Sequence, residues 1–109
     1  MVTVSTIRDN YSLGAGGGIN NNGSLTVRDS HLFGNSADNC GGIDSVGIGV
    51  TATVGQSSVH GNIARVADGG GSGSGVCKAS GTVTLDRSWV RKNNPDNCTP
   101  PGSVPGCFG

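Results

Sequence analysis

Aspartates are the residues of this chain with the clearest capacity for chemistry. A cluster of carboxylates can hold calcium while an arginine or lysine beside it acts as a base, and such a site would cleave an acidic polysaccharide. Asp29, however, shares its position in the internal repeat described below with Gln56 and Arg87, so no column of carboxylates forms. The sequence therefore predicts no catalytic residue, no metal and no cofactor, and it favours a non-enzymatic protein over a lyase-like enzyme that depends on Arg91. The aspartates, scattered over different repeat positions, are Asp9, Asp29, Asp38, Asp44, Asp68, Asp86 and Asp96.

A mixture of aromatic and cationic side chains is the second pattern. Phe33, His60, Trp89 and Arg91 fall in two neighbouring columns of the repeat. Both columns should point outward, because the aliphatic residues between them should point inward. Aromatic rings beside guanidinium groups are typical of surfaces that stack on sugars. The pattern predicts a glycan-binding face, and an ordinary amphipathic face exposed to solvent is the alternative.

Hydroxyl side chains form a third pattern. The segments 24–26, 51–53 and 82–84 each carry two hydroxyl residues around an apolar one, which aligns Thr26, Thr53 and Thr84. On a flat parallel sheet these segments would present two columns of hydroxyls, and such arrays resemble the ice-binding face of β-solenoid antifreeze proteins. Threonine also suits exposed strands generally, since it is β-branched. Ice binding is therefore a further alternative function.

An internal repeat positions all of these residues. Four segments align: VTVSTIRDN from Val2, VRDSHLFGN from Val27, VGQSSVHGN from Val54 and LDRSWVRKN from Leu85. Their starting points lie 25, 27 and 31 residues apart, and the differences in length fall in glycine-rich stretches. The first and sixth positions are always aliphatic, the fourth is always serine and the ninth is always asparagine. The serines are Ser5, Ser30, Ser57 and Ser88, and the asparagines are Asn10, Asn35, Asn62 and Asn93.

A unit this short cannot enclose its own core, so each unit must stack on its neighbours. The apolar positions alternate as they do in strands, and successive coils of parallel strands lie about 4.8 Å apart. At that spacing the matched asparagines can hydrogen-bond amide to amide, so we expect structural ladders of serine and asparagine rather than a ligand site. Two further strands per coil are marked by Ile19, Ile43 and Val76 and by Leu25, Ala52 and Val83.

The segment GGGINNNGSLTVRDSHLFGNSADNCGG resembles the right-handed β-helix repeats of bacterial secreted and cell-surface proteins. The tail NNPDNCTPPGSVPGC is similar to the ends of such repeats in actinobacterial secreted proteins. The resemblance implies an all-β, right-handed parallel β-helix (β-solenoid) of about four coils. It implies one domain over residues 1–109, whole or as the C-terminal fragment of a longer solenoid, in a secreted or cell-surface protein. The family includes polysaccharide lyases, adhesins and proteins of no known activity, so the resemblance specifies a fold rather than a function.

Four cysteines in a small, glycine-rich chain indicate disulfides and an oxidising compartment. Cys40 and Cys98 hold the same repeat position two coils apart, which is about 10 Å and beyond the ~7 Å limit between bridged Cα atoms. Geometry thus favours Cys98 with Cys107, locking a proline-rich C-terminal end, and Cys40 with Cys77 on adjacent coils. The cysteines lack the close spacing of a zinc site.

Charge and hydropathy exclude several partners. Seven basic and seven acidic residues give zero net charge, whereas a nucleic-acid binder needs a surplus of lysine and arginine. No apolar run reaches the roughly 18 residues that a membrane span requires. The strand beginning at Val2 would leave an open edge, and we expect another solenoid coil or a partner chain to cover it. Polysaccharide is the other expected partner.

Overall fold

The computed structural model describes residues 1–65, 75–78, 80–99 and 102–108, and the described residues form strands and no helix. Asp68, Pro100, Pro101 and most of the glycine-serine segment lie outside them. The first eight strands are β1 (Val2–Thr3), β2 (Thr6–Arg8), β3 (Tyr11–Ala15), β4 (Ile19–Asn21), β5 (Ser24–Arg28), β6 (His31–Phe33), β7 (Ser36–Asn39) and β8 (Ile43–Ser45). The others are β9 (Thr51–Gly55), β10 (Ser58–His60), β11 (Ile63–Ala64), β12 (Val76–Lys78), β13 (Thr82–Asp86), β14 (Trp89–Arg91) and β15 (Cys98–Thr99).

The strands form four parallel sheets. Sheet 1 has the order β1-β5-β9-β13, sheet 2 β2-β6-β10-β14, sheet 3 β3-β7-β11 and sheet 4 β4-β8-β12-β15. Along the chain, β1 to β4 enter the four sheets in turn, and β5 to β8 enter them again in the same order. This all-strand, parallel arrangement is compatible with a β-solenoid.

The register pairs the residues that the sequence repeat aligns. Val2 lies opposite Val27, Val27 opposite Val54, and Val54 opposite Leu85. Because the register keeps like residues together, the aliphatic side chains stack inside the molecule. The largest fully buried members of this core are Val27, Leu32, Ile43, Val54, Val59, Val76, Val83 and Val104.

Two turns of each repeat place a residue in the left-handed region of backbone conformation. One turn precedes the repeated serine and the other precedes the repeated asparagine. Most residues at these sites carry a side chain, and Val4 is β-branched, with φ at 44°. Left-handed backbone costs a residue with a Cβ about 1–2 kcal/mol, so the neighbouring ladders must hold these turns in place. The left-handed residues are Val4, Asp29, Gln56 and Arg87 before the serines, and Asp9, Gly34, Gly61 and Lys92 before the asparagines.

The asparagines form a buried hydrogen-bond ladder. Asn35 donates from its backbone N–H and from its Nδ2 to Oδ1 of Asn62, at 3.0 and 2.9 Å. Asn62 donates in the same way to Asn93, at 2.9 and 3.0 Å, and Asn10 donates to Asn35. Asn97 closes the ladder, since its Oδ1 accepts both donors of Asn93. Each side-chain amide thus satisfies a backbone group that a tight turn leaves unpaired.

The serines form a second ladder at the other turn. The backbone N–H of Ser30 donates to Oγ of Ser57 at 3.0 Å, and the Ser57 N–H donates to Oγ of Ser88 at 3.1 Å. Ser5 donates in the same way to Ser30. Each hydroxyl donates in turn to the carbonyl two residues earlier, as Ser57 does to Gly55 at 2.8 Å. The hydroxyl is therefore both donor and acceptor, which explains why this position is serine.

Glycines preceding the strands of sheet 4 make room for these ladders. A Cβ on Gly42 would lie 2.2 Å from the carbonyl oxygen of Gly75. A Cβ on Gly75 would lie 2.6 Å from Nδ2 of Asn93. Backbone and amide groups of the next repeat occupy the space that a side chain would need, so only glycine fits at these positions.

Disulfides join Cys40 to Cys77 and Cys98 to Cys107, with Cα separations of 5.9 and 6.3 Å. This confirms the pairing that the spacing of the coils favoured. The first bond links β12 to the turn before β8, and the second ties the C-terminal segment to β15. Both bonds are typical of proteins from oxidising compartments.

The outer edge at the N-terminal end consists of β1 to β4, each of which is the last strand of its sheet. Among the described residues, these strands have a partner on one side only. The expectation that another coil or chain covers this edge stays a prediction.

Candidate functional site

The outward side of sheet 2 carries the strongest candidate site, which we call the aromatic–cationic face: Arg8, His31, Phe33, His60, Trp89 and Arg91. Parallel pairing places Phe33 opposite Arg8 on one side and opposite His60 on the other. His60 lies opposite Arg91, and Ser58 lies between His31 and Trp89. These are the two columns that the sequence predicted for the face.

Alternation along each short strand turns these side chains outward. The central residues Leu32, Val59 and Val90 are buried in the core. The residues on either side of them must then project from the opposite surface of the sheet. Trp89 is 61% exposed as a result. An exposed tryptophan presents a large apolar surface that the fold does not use.

Three of the rings on this face, those of Phe33, His60 and Trp89, are stacked or lie beside a cation. The Arg91 guanidinium lies 4.3 Å from the centre of the Trp89 ring, and the Arg8 guanidinium lies 5.2 Å from that of Phe33. The Phe33 and His60 rings are stacked, with centroids 5.3 Å apart and an angle of 11° between their planes. The face is therefore an ordered strip of flat groups with cations beside it.

An open groove of about 730 Å³ lies on this face and includes its two histidines, Trp89 and Arg91. Arg87 and Lys92 line its flank, and its described lining contains no carboxylate. Arg87 is paired with the exposed Asp86 at 3.4 Å. Arg91 and Lys92 make no ion pair with any described residue, so the groove carries uncompensated positive charge.

The predicted threonines lie on a different surface from the aromatic residues. Thr26, Thr53 and Thr84 pair across β5, β9 and β13 of sheet 1. A second hydroxyl column beside them begins at Ser24, whose Oγ is 2.9 Å from Oγ1 of Thr51. The sequence-predicted binding residues thus form two separate faces, one on sheet 1 and one on sheet 2.

The aspartates do not form a carboxylate cluster among the described residues. Asp44 is the exception in its burial, being 7% exposed, and burial raises the pKa of its carboxyl group. Its carboxylate lies beside the Cys40–Cys77 disulfide, with the oxygen and both Sγ atoms all within 4.8 Å of one another. Sequence reasoning missed this grouping, because the two cysteines are 37 residues apart.

Arg65 forms a polar cluster on sheet 3 that the sequence also did not reveal. Its Nη2 donates to the Asp38 carboxylate at 2.8 Å and to the Ser12 carbonyl at 3.0 Å. Its guanidinium lies 4.0 Å from the Tyr11 ring and also donates to the Tyr11 hydroxyl. The cluster joins three successive repeats, and both terminal nitrogens of the guanidinium donate within it. The cluster has a structural role, because it links side chains of different repeats.

None of the described residues forms a helix that is long and apolar enough to cross a membrane. The two disulfides are consistent with an oxidising, extracellular environment. Comparison with known proteins identifies no relative: no family model, no curated protein and no solved structure matches this chain.

Proposed function

We propose that this chain is a secreted or cell-surface module that binds glycan without cleaving it, through the aromatic–cationic face. Its fold is a right-handed parallel β-helix of about four coils, as in the bacterial repeat proteins that its sequence resembles. The observation that carries the proposal is the exposed Trp89 ring under the Arg91 guanidinium, at the rim of an open groove. A flat ring beside hydrogen-bond donors matches a sugar, whose faces are apolar and whose edges are polar.

The charge of the groove indicates which glycans it binds. Arg91 and Lys92 have no carboxylate partner among the described residues, and no carboxylate lines the groove in the part of the chain that the structure describes. Guanidinium and ammonium groups in this state attract carboxylates or sulfates on a polymer. The preferred ligand is therefore an acidic polysaccharide. Non-enzymatic binding is favoured over cleavage, since no carboxylate cluster lies beside Arg91 among the described residues.

Fluorescence provides a direct test, because Trp89 is the only tryptophan in the chain. The disulfide-bonded protein is titrated with a polyuronate, a sulfated galactan and a neutral β-glucan. Acidic polymers should change the emission saturably and bind at least about tenfold more tightly than the neutral one, a difference of about 1.4 kcal/mol. Raising the salt concentration from about 0.05 to 0.5 M should weaken the acidic polymers selectively, because salt screens exposed charges.

Tyr11 provides a matched control, since it is 59% exposed and carries the Arg65 guanidinium at 4.0 Å on a different sheet. By calorimetry, Trp89→Ala should abolish polymer binding, whereas Tyr11→Ala should leave it unchanged. Arg91→Ala should weaken acidic polymers about tenfold. The proposal is wrong if no polymer binds, or if the Tyr11 and Trp89 variants lose binding equally.

Ice binding is a second candidate function, and the pairing in sheet 1 favours it. Two hydroxyl columns run across three adjacent parallel strands, and Thr51, Thr53, Thr82 and Thr84 are all exposed. An array of this kind can order water at a regular spacing set by the strands. Thermal hysteresis of the protein solution, lost in Thr53→Tyr and retained in Trp89→Ala, would assign this function to the sheet 1 face.

A further inference from the structure

Asp44 is a buried carboxyl group that has no polar partner in the described part of the chain. It is 7% exposed, and its side chain makes no hydrogen bond or ion pair with any described residue. Burying a carboxylate without a partner is costly, and such a group in a native structure needs an explanation, of which a redox role or a bound ion is one kind. Packing in the core does not account for the burial of Asp44. Asp44 follows the core residue Ile43 in strand β8, so its side chain projects from the opposite surface of sheet 4.

The immediate neighbours of Asp44 are two sulfur atoms. Parallel pairing of β8 with β12 places Asp44 opposite Cys77. Cys40, which has a left-handed φ of 62°, comes from the turn that leads into β8. The carboxylate oxygen and the two Sγ atoms lie within 4.8 Å of one another, and all three residues are buried. Elements from two successive repeats thus bring two soft ligands and one hard ligand to one point.

We propose that reduction of the Cys40–Cys77 disulfide converts this cluster into a site for Zn²⁺, bound by both thiolates, the Asp44 carboxylate and one water molecule. A dithiol can supply the two electrons: it is oxidised to its own disulfide while the Cys40–Cys77 bond becomes two thiols. Zn²⁺ then displaces the two thiol protons, which pass to the buffer. The metal would replace the covalent link between the same two repeats.

The dimensions of the cluster suit a tetrahedral zinc ion. Zinc–sulfur bonds of about 2.3 Å and zinc–oxygen bonds of about 2.0–2.2 Å place ligand atoms roughly 3.4–3.8 Å apart. The carboxylate oxygen already lies within 4.8 Å of both Sγ atoms, and after the sulfur–sulfur bond opens the two sulfurs must move apart from bonding distance to this spacing. Thiolates and a carboxylate in a buried site favour zinc over calcium or magnesium, which prefer oxygen ligands alone.

Cobalt is the probe for the test, because Co²⁺ occupies zinc sites and its bonds to thiolates absorb light. The full chain is reduced with a phosphine under anaerobic conditions, which yields phosphine oxide and thiols, and is then desalted and titrated with Co²⁺. Mass spectrometry counts the thiols, and circular dichroism checks that strands remain. We expect one Co²⁺ per reduced chain with thiolate charge-transfer absorption, its displacement by one Zn²⁺, and no absorption with oxidised protein.

Variants separate this site from simple binding by free cysteines. Asp44→Asn should weaken Co²⁺ at least about tenfold, since even groups behind the ligands change metal affinity 10–100-fold. Asp86→Asn, an exposed aspartate, should have no effect. The site should survive in Cys98→Ser/Cys107→Ser and vanish in Cys40→Ser/Cys77→Ser. The proposal is overturned if Asp44→Asn binds like the wild type, if absorption follows Cys98 and Cys107, or if the buried disulfide resists reduction while the protein is folded.

Discussion

Asn62→Ala is the sharpest perturbation of the asparagine ladder, because Asn62 is fully buried at its centre. Its Oδ1 accepts two hydrogen bonds from Asn35, and its Nδ2 donates to the Leu32 carbonyl at 3.2 Å and to Oδ1 of Asn93 at 3.0 Å. Alanine removes all four bonds and leaves buried groups on three residues without that partner. At about 1 kcal/mol per bond, the free energy of unfolding should fall by about 4 kcal/mol.

That loss is large against a total stability of about 5–15 kcal/mol for a domain. The unfolding entropy of a chain of 109 residues is about 0.23 kcal/mol/K, so the melting temperature should fall by roughly 17 °C. Urea unfolding of the disulfide-bonded protein, followed by circular dichroism, measures the free energy, and calorimetry measures the melting temperature.

Asn10→Ala is the matched control. Asn10 is exposed at the end of the same ladder, and its side chain makes one bond, from Nδ2 to Oδ1 of Asn35 at 3.0 Å. The other bond from this residue comes from its backbone N–H and survives the substitution. The free energy of unfolding should fall by less than about 1 kcal/mol. Equal losses for the two variants would refute the view that the buried amides hold the repeats together.

Four further substitutions, one of them a control, test other parts of the fold by urea unfolding. Gly42→Ala should lower the free energy of unfolding by about 3 kcal/mol or prevent folding, because its Cβ would meet the Gly75 carbonyl at 2.2 Å. Gly23→Ala is the control: its Cβ would have no atom within 4 Å, so the free energy of unfolding should change by less than about 0.5 kcal/mol. Val4→Asn should raise it by about 1 kcal/mol, since a β-branched residue at φ 44° is strained and asparagine tolerates this region; a decrease would contradict the strain. Burial raises the pKa of the Asp44 carboxyl group in the folded protein above its value in the unfolded chain. The free energy of unfolding therefore falls as the pH rises from the pKa of the unfolded chain to that of the folded protein. Asp44→Asn, with its disulfides intact, should therefore be more stable than wild type at pH 7, and a difference that persists below about pH 3 would contradict this cause.

Much of the fold follows from local patterns that recur in the sequence. The serine and asparagine columns indicate the register, because a one-residue slip would break every bond of both ladders. Sheets 1, 2 and 4 contain the alternating aliphatic residues that the repeat marks. The spacing of the coils also favours the two disulfides that the structure contains. The register and the core follow from residues of one type or one class that recur in every repeat, whereas the disulfides follow from the distance between coils.

Sheet 3 and the Asp44 cluster lacked such a signal. The strands of sheet 3 begin with Tyr11, Ser36 and Ile63, which share neither size nor polarity, and the backbone pairing there follows from the turns at the asparagines. Asp44 lies opposite Asn20 in one repeat and Cys77 in another, so its column shows no repeated chemistry. Contacts between unlike residues in different repeats arise only when the chain is folded, and the spacing of one sequence does not reveal them.

Positions that repeat one kind of residue build this fold, whereas the outward positions of sheet 2 vary from repeat to repeat. The inward positions keep serine, asparagine or an aliphatic residue in each repeat, since each side chain must make the same kind of contact with its counterpart in the next repeat. One outward column of sheet 2 pairs Arg8, Phe33, His60 and Arg91. Trp89 lies beside this column, and among the described residues its ring contact is with Arg91 on the same strand. Exposing so much apolar surface brings the folded state no stability. Trp89→Ala should therefore leave the free energy of unfolding nearly unchanged. If this variant then loses glycan binding, the loss would come from a missing contact rather than from a disrupted fold.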